Sequence, residues 1–196
     1  MHPLISTTEL ASQIEHAQGA SPNYLIFDCR FALLDKQIGH REYLAGHIPG
    51  AQYADLEAHL SAPAGKNGRH PLPNQDLFVA QLGRWGINKN TTVVCYDQNS
   101  GAFAARLWWL LRSVGHHNVT ILDGGYDTWL AAELPTTTDI PEIPATTFSK
   151  APSLTRVCQA TDILAIASDE TTPMALIDAR ESARFRGEVE PIDPVA

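Results

Sequence analysis

Apolar positions along this chain follow two alternating rhythms. Short solid runs, NYLIFD at 23–28, VVCY at 93–96 and NVTILD ending at Asp123, have the length and β-branched content of strands buried on both faces. Between them apolar residues recur at helical intervals. Ser6-Thr7-Thr8-Glu9 reads as a capping box opening a helix with Leu10, Ile14 and Ala17 on one face, ending near Gly19. Residues 40–50, HREYLAGHIPG, predict a short helix closed by Gly46 and a turn at Pro49-Gly50, with AQYA as a second short strand. Asn74 caps a helix carrying Leu77, Phe78, Leu82 and Trp85, which Gly86 stops. Phe103, Leu107, Leu110, Leu111 and Val114 stripe another that ends at Gly115, and Gly124-Gly125 leads into one with Tyr126, Trp129 and Leu130. Strands alternating with helices predict an α/β fold, a mainly parallel sheet with helices on both faces.

The rhythm breaks twice. Ala62–Pro73 is a loop punctuated by glycine and proline. From Leu134 the chain is threaded with prolines and threonines, and 136–153 reads as an extended linker between a domain over 1–135 and a second segment over 154–196. That segment repeats the opening pattern. Thr155 is placed to cap a helix with Val157, Ala160, Leu164 and Ala167, and MALIDAR matches YLIFDCR with Asp178 150 residues after Asp28. It is expected to be the truncated start of a second copy, with exposed strand edges.

Composition narrows the function. The 196 residues are 44% hydrophobic and 18% charged, enough for a sizeable core, and the net charge of −8 argues against nucleic acid or an anionic membrane as partner. No apolar run approaches the ~20 residues of a membrane span, and the first residues lack a signal-peptide pattern, so the cytoplasm is the default expectation. Three widely spaced cysteines, Cys29, Cys95 and Cys158, fit reduced thiols better than disulfides or a zinc site.

The candidate chemistry centres on Asp97. A strand ending there, the polar turn Gln98-Asn99-Ser100-Gly101 and a following helix direct backbone N–H groups and a positive helix end at the residue leading the loop. Asp97 then caps that helix, and Arg106 either pairs with such a carboxylate or is solvated. Cys95, inside an apolar run, reads as core; Cys29, at a strand end, as partly accessible; and Cys158 as a helix residue without chemistry. The Asp28/Arg30 and Asp178/Arg180 pairs read as ties between a strand end and the next loop. His116-His117 at a helix end suit the helix dipole when protonated and lack further ligands at metal spacing. The four tryptophans sit on predicted helices and read as core.

Residues 24–51 with DCR and EYLAGHIPGA, the segment YDQNSGAFAARLWW, and LDGGYDTW resemble the amino-terminal half of two-domain sulfurtransferases of the rhodanese type, which act on thiosulfate or 3-mercaptopyruvate. LIDARESARFRGEVEPIDPVA resembles the start of that family's second domain. The resemblance implies transfer of a sulfane sulfur from a small anionic donor to a thiophilic acceptor, cyanide or a thiol. It proceeds through a cysteine persulfide and needs no cofactor or metal. It also implies that Asp97 stands at the first domain's nucleophile position, leaving that domain catalytically silent and docked on a second domain that carries the cysteine outside these residues. It makes Arg184 the residue gripping the donor, with Arg180 and Arg186 in support, His47 part of a turn, and Phe31 an aromatic near the domain interface. The missing arginine after Gly187 leans towards thiosulfate. Two other readings stand beside it. One is a non-enzymatic scaffold or interaction module with the same homology; the other, a cysteine-dependent phosphatase, lacks the required cysteine and arginine in DQNSGA.

Overall fold

Three of the solid apolar runs do form the middle of a sheet. The computed structural model describes residues 2–16, 24–66, 68–167 and 175–191. Strands β1 (Leu4–Ile5), β2 (Tyr24–Asp28), β3 (Ala51–Tyr53), β4 (Thr92–Tyr96) and β5 (Val119–Leu122) form one sheet in the order β1-β5-β4-β2-β3. All its pairings are parallel. Alternation along β4 accounts for the two-sided core. Val93 and Cys95 face a cluster with Phe27, Phe78, Leu107 and Leu111, while Val94 and Tyr96 face another with Leu10, Ile26 and Trp129. β1 is too short to carry a pattern and was not predicted from the sequence.

Helices α1 (Thr7–His16), α2 (Ile38–Ala45), α3 (Gln75–Arg84), α4 (Ala102–Ser113) and α5 (Gly125–Ala131) cover the faces. The capping box is made in both directions: Glu9 N–H donates to Ser6 Oγ at 3.2 Å, and Ser6 N–H to Glu9 Oε2 at 2.9 Å. Asn74 Oδ1 accepts from Asp76 N–H and Leu77 N–H at 2.9 and 3.1 Å. The predicted end of α1 near Gly19, and Asn23, fall outside the described residues. Gly39 is fixed by close approach, because a Cβ there would lie 1.9 Å from the Arg30 carbonyl oxygen.

Residues 136–153 are not a free-standing spacer. The chain divides into compact units Met1–Arg156 and Val157–Ala196, so the extended segment belongs to the first. Its backbone N–H groups, with that of Leu154 just beyond it, donate to carbonyls at the C-terminal ends of α3 and α4. Thr146 N–H donates to Gly83 O at 2.8 Å, Ala151 N–H to Val114 O at 3.0 Å, and Leu154 N–H to Arg112 O at 2.9 Å. Phe148 is buried in the larger core cluster. Proline and threonine make this strap irregular without making it independent.

In the second unit, α6 spans Ala160–Ala167 and α7 spans Ser182–Phe185. Thr155 does not cap α6. Gln159 N–H donates to Asp162 Oδ2 at 2.8 Å, and Cys158 lies before the helix, exposed. MALIDAR forms no strand over its described residues 175–180, and Leu176 and Ile177 are 57% and 88% exposed. A solitary extended run has no ladder to complete.

Candidate functional site

The C-terminal ends of β2 and β4 lie side by side, with Asp28 opposite Tyr96, and this register assembles a buried polar network. Asp28 and Arg30 are 0% and 4% exposed. Arg30 Nε donates to both Asp28 oxygens at 3.1 and 2.9 Å, and Nη2 to Oδ2 at 2.6 Å. Nη2 also reaches the Gly46 carbonyl at 2.7 Å, and the guanidinium carbon lies 4.2 Å from the centre of the Tyr126 ring. Tyr96 Oη completes the network by donating to Asp28 Oδ2 at 2.8 Å. Burial alone pulls the Arg30 pKa down; the hydrogen bonds and charge of Asp28 outweigh it and hold it above the ordinary arginine value.

One residue beyond β4, Asp97 is 1% exposed and its carboxylate fills the nest formed by the loop and the start of α4. Oδ1 accepts from Gly101 N–H at 2.9 Å, and Oδ2 from Phe103 N–H and Ala104 N–H at 2.8 and 3.1 Å. The loop is clamped from α5: Gln98 Nε2 and Asn99 Nδ2 donate to Asp127 at 2.5 and 2.9 Å, while Tyr126 N–H donates to the Asp97 carbonyl at 2.8 Å. Gly125, at φ +62°, leaves room for this approach, since a Cβ would meet the Asp97 carbonyl at 2.6 Å.

Arg106 takes neither predicted course. It donates to the carbonyls of Leu60, His70 and Pro71 at 2.9–3.1 Å and so organises the 60–71 loop rather than pairing with Asp97. Burial lowers its pKa. Phe31 packs at 5.5 Å against Phe103 and at 5.9 Å against His70, as part of the larger core cluster.

Cys29 is not partly accessible. It is 1% exposed, and burial, the neighbouring Cys95 thiol and the Asp28 and Asp97 carboxylates push its pKa well above the ordinary value. Such a thiol is a poor nucleophile. Cys95 is fully buried, as the apolar run predicts. His47 is buried too, with Nδ1 2.7 Å from the Tyr43 carbonyl and Nε2 3.1 Å from that of Asp139, tying α2 to the strap. Trp85 and Trp129 are core; Trp108 and Trp109 are half-buried.

His116 corrects the dipole reading. Its ring is 3% exposed and burial lowers its pKa, as burial also does for His59. The fold therefore favours the neutral form of both rings. As pH falls through about 6.5 the unfolded chain binds protons that the folded chain refuses. Stability is expected to be level between about pH 7 and pH 8 and to drop below that, down to the lower folded values. Urea midpoints at stepped pH check this; a His116→Gln chain should show a shallower drop, and an unchanged slope would contradict the assignment.

The three arginines predicted to grip a donor belong to the second unit, and each closes on an acid of its own segment. Arg180 binds Asp178 in the geometry of Arg30 with Asp28, Nη2 to Oδ2 at 2.7 Å, with side chains 40% and 28% exposed. Arg184 binds Glu190 through Nη2 at 2.8 and 2.9 Å and Nε at 3.2 Å. Arg186 binds Glu188 at 2.6 and 3.0 Å. Sequence reasoning missed both glutamates, although the spacing R-x-R-G-E-x-E carries the signal.

Residues 6–132 match the family model described as the rhodanese-like domain. The chain belongs to the rhodanese family. Among its curated relatives, the Pseudomonas aeruginosa protein named "Probable 3-mercaptopyruvate sulfurtransferase" is 43% identical over 196 residues, covering 98% of this chain and 66% of the relative. The thiosulfate sulfurtransferase of Bos taurus is 31% identical over 186 residues, covering 94% of this chain and 61% of its own. The crystal structure of SseA from Escherichia coli, a 3-mercaptopyruvate sulfotransferase, superposes with TM-score 0.80 at 32% identity, covering 98% of this chain and 71% of that one. The rhodanese chain described here thus spans about two-thirds of the length of the first curated relatives it matches. Among the described residues, no helix is long and apolar enough to cross a membrane.

Proposed function

We propose that this chain is the silent first domain and the opening of the second domain of a sulfurtransferase that moves sulfane sulfur from thiosulfate, or 3-mercaptopyruvate, to cyanide or a thiol. The observation that carries the reading is the occupied nest. An anion-stabilising loop of this kind would hold a nucleophilic thiolate, and here an acid that cannot accept sulfur takes all three N–H groups. In the proposed reaction a cysteine thiolate outside these residues attacks the outer sulfur of thiosulfate. Sulfite leaves with the electron pair of the broken S–S bond. The persulfide then yields its sulfur to cyanide, forming thiocyanate and restoring the thiolate. Arg184 would hold the donor anion, aided by Arg180 and Arg186, and the first domain would dock on the second.

The 196-residue chain is accordingly expected to give no thiocyanate above background from thiosulfate and cyanide. Turnover that disappears in Cys95→Ala or Cys29→Ala would overturn this. The occupied nest equally suits a second reading, an interaction module with no chemistry. A natural reading frame extending to a loop-headed cysteine favours the enzyme.

A further inference from the structure

The Arg184 pair differs from the other two in shelter. Arg186 and Glu188 are 55% and 53% exposed, whereas Arg184 and Glu190 are only 15% and 13%. The backbone explains the difference. α7 ends in a Schellman turn, in which Gly187 N–H donates to the Arg184 carbonyl at 3.1 Å and Glu188 N–H to the Ala183 carbonyl at 3.0 Å, with Gly187 at φ +70°. The reversal folds the chain back along the helix and delivers Glu190, six residues on, to the guanidinium. Its two oxygens occupy the Nε and Nη2 donors, the bidentate geometry in which a guanidinium receives an oxyanion.

An incoming anion gains those donors only when the carboxylate withdraws. We infer that Glu190 is the resident counter-anion of the Arg184 donor site, competing with the sulfur donor and setting both its affinity and its class. The inference rests on the assignment of Arg184 to donor binding proposed above. A halide offers the fork one point of contact and does not replace two hydrogen bonds. A sulfonate or carboxylate offers two oxygens at the right spacing and does. Glu190 is a positioning and selectivity residue, acting on substrate only through Arg184.

The test uses the whole 196-residue chain, 15N-labelled, titrated with sodium thiosulfate or with sodium chloride at matched ionic strength. The Arg184 Nε–H and Gly187 amide signals are followed. Glu190→Gln should tighten thiosulfate binding about three- to tenfold and let chloride shift the Nε–H signal, which it leaves unmoved in the parent. Glu190→Asp, which keeps the charge but withdraws it by one methylene, should change binding in the same direction. Arg184→Gln should abolish thiosulfate binding. Amide shifts of residues 183–188 near the parent values show the turn intact. If both Glu190 variants bind thiosulfate no more tightly than the parent while Arg184→Gln binds more weakly, the inference falls and the Arg184 assignment survives. Equal binding by the parent and Arg184→Gln overturns both.

Discussion

Replacing Arg30 with methionine is expected to cost about 3–5 kcal/mol of folding stability. The loss is not the value of the ion pair, which trades Coulomb attraction against desolvation. It is the cost of leaving the fully buried Asp28 carboxylate with only the Tyr96 hydroxyl and the Arg30 backbone N–H as donors. A chain carrying both Asp28→Asn and Arg30→Met removes the stranded charge and should recover a substantial part of the loss. Urea unfolding followed by tryptophan fluorescence measures both, since all four tryptophans lie in the Met1–Arg156 unit. A single-variant loss below about 1 kcal/mol would mean the carboxylate is not paired as described. The same motif in the second unit, Asp178 with Arg180, stands in solvent and is worth little by this argument.

Asp97→Ala is the second large effect, expected at about 2–4 kcal/mol. The substitution deletes a helix cap and strands three N–H groups at the sheltered start of α4. Asp97→Asn keeps one acceptor oxygen but turns an NH2 group towards N–H donors, so its loss should fall between those of the parent and alanine. The same fluorescence-detected titration ranks the three chains. An alanine variant as stable as the parent would show that the nest does not depend on its carboxylate.

What could be read from the residues alone was what neighbouring residues decide. The solid runs at 24–28, 93–96 and 119–122, the Ser6 and Asn74 caps and the nest around Asp97 are local, and their spacing announces them. The α/β order follows from them. The missed features are those in which distant segments meet. Cys29 stands at a strand end, yet it is 1% exposed within the larger core cluster. Arg106 has an acid nearby in sequence, whereas its partners are carbonyls 35–46 residues away. The strap has the composition of a spacer, and its hydrogen bonds to the ends of α3 and α4 and the burial of Phe148 explain why it lies down. Glu190 is the exception, a near neighbour signalled by its spacing, which becomes a counter-ion only once the turn at Gly187 reverses the chain.

The strap also fixes when this fold can close during synthesis. Helices α3 and α4 are complete in sequence by Ser113, but the strap donors at Thr146, Ala151 and Leu154, which bond the carbonyls of Gly83, Val114 and Arg112, come later. A nascent chain emerging from the ribosome can build the sheet early. It becomes sealed only once some forty residues beyond α4 have followed it out.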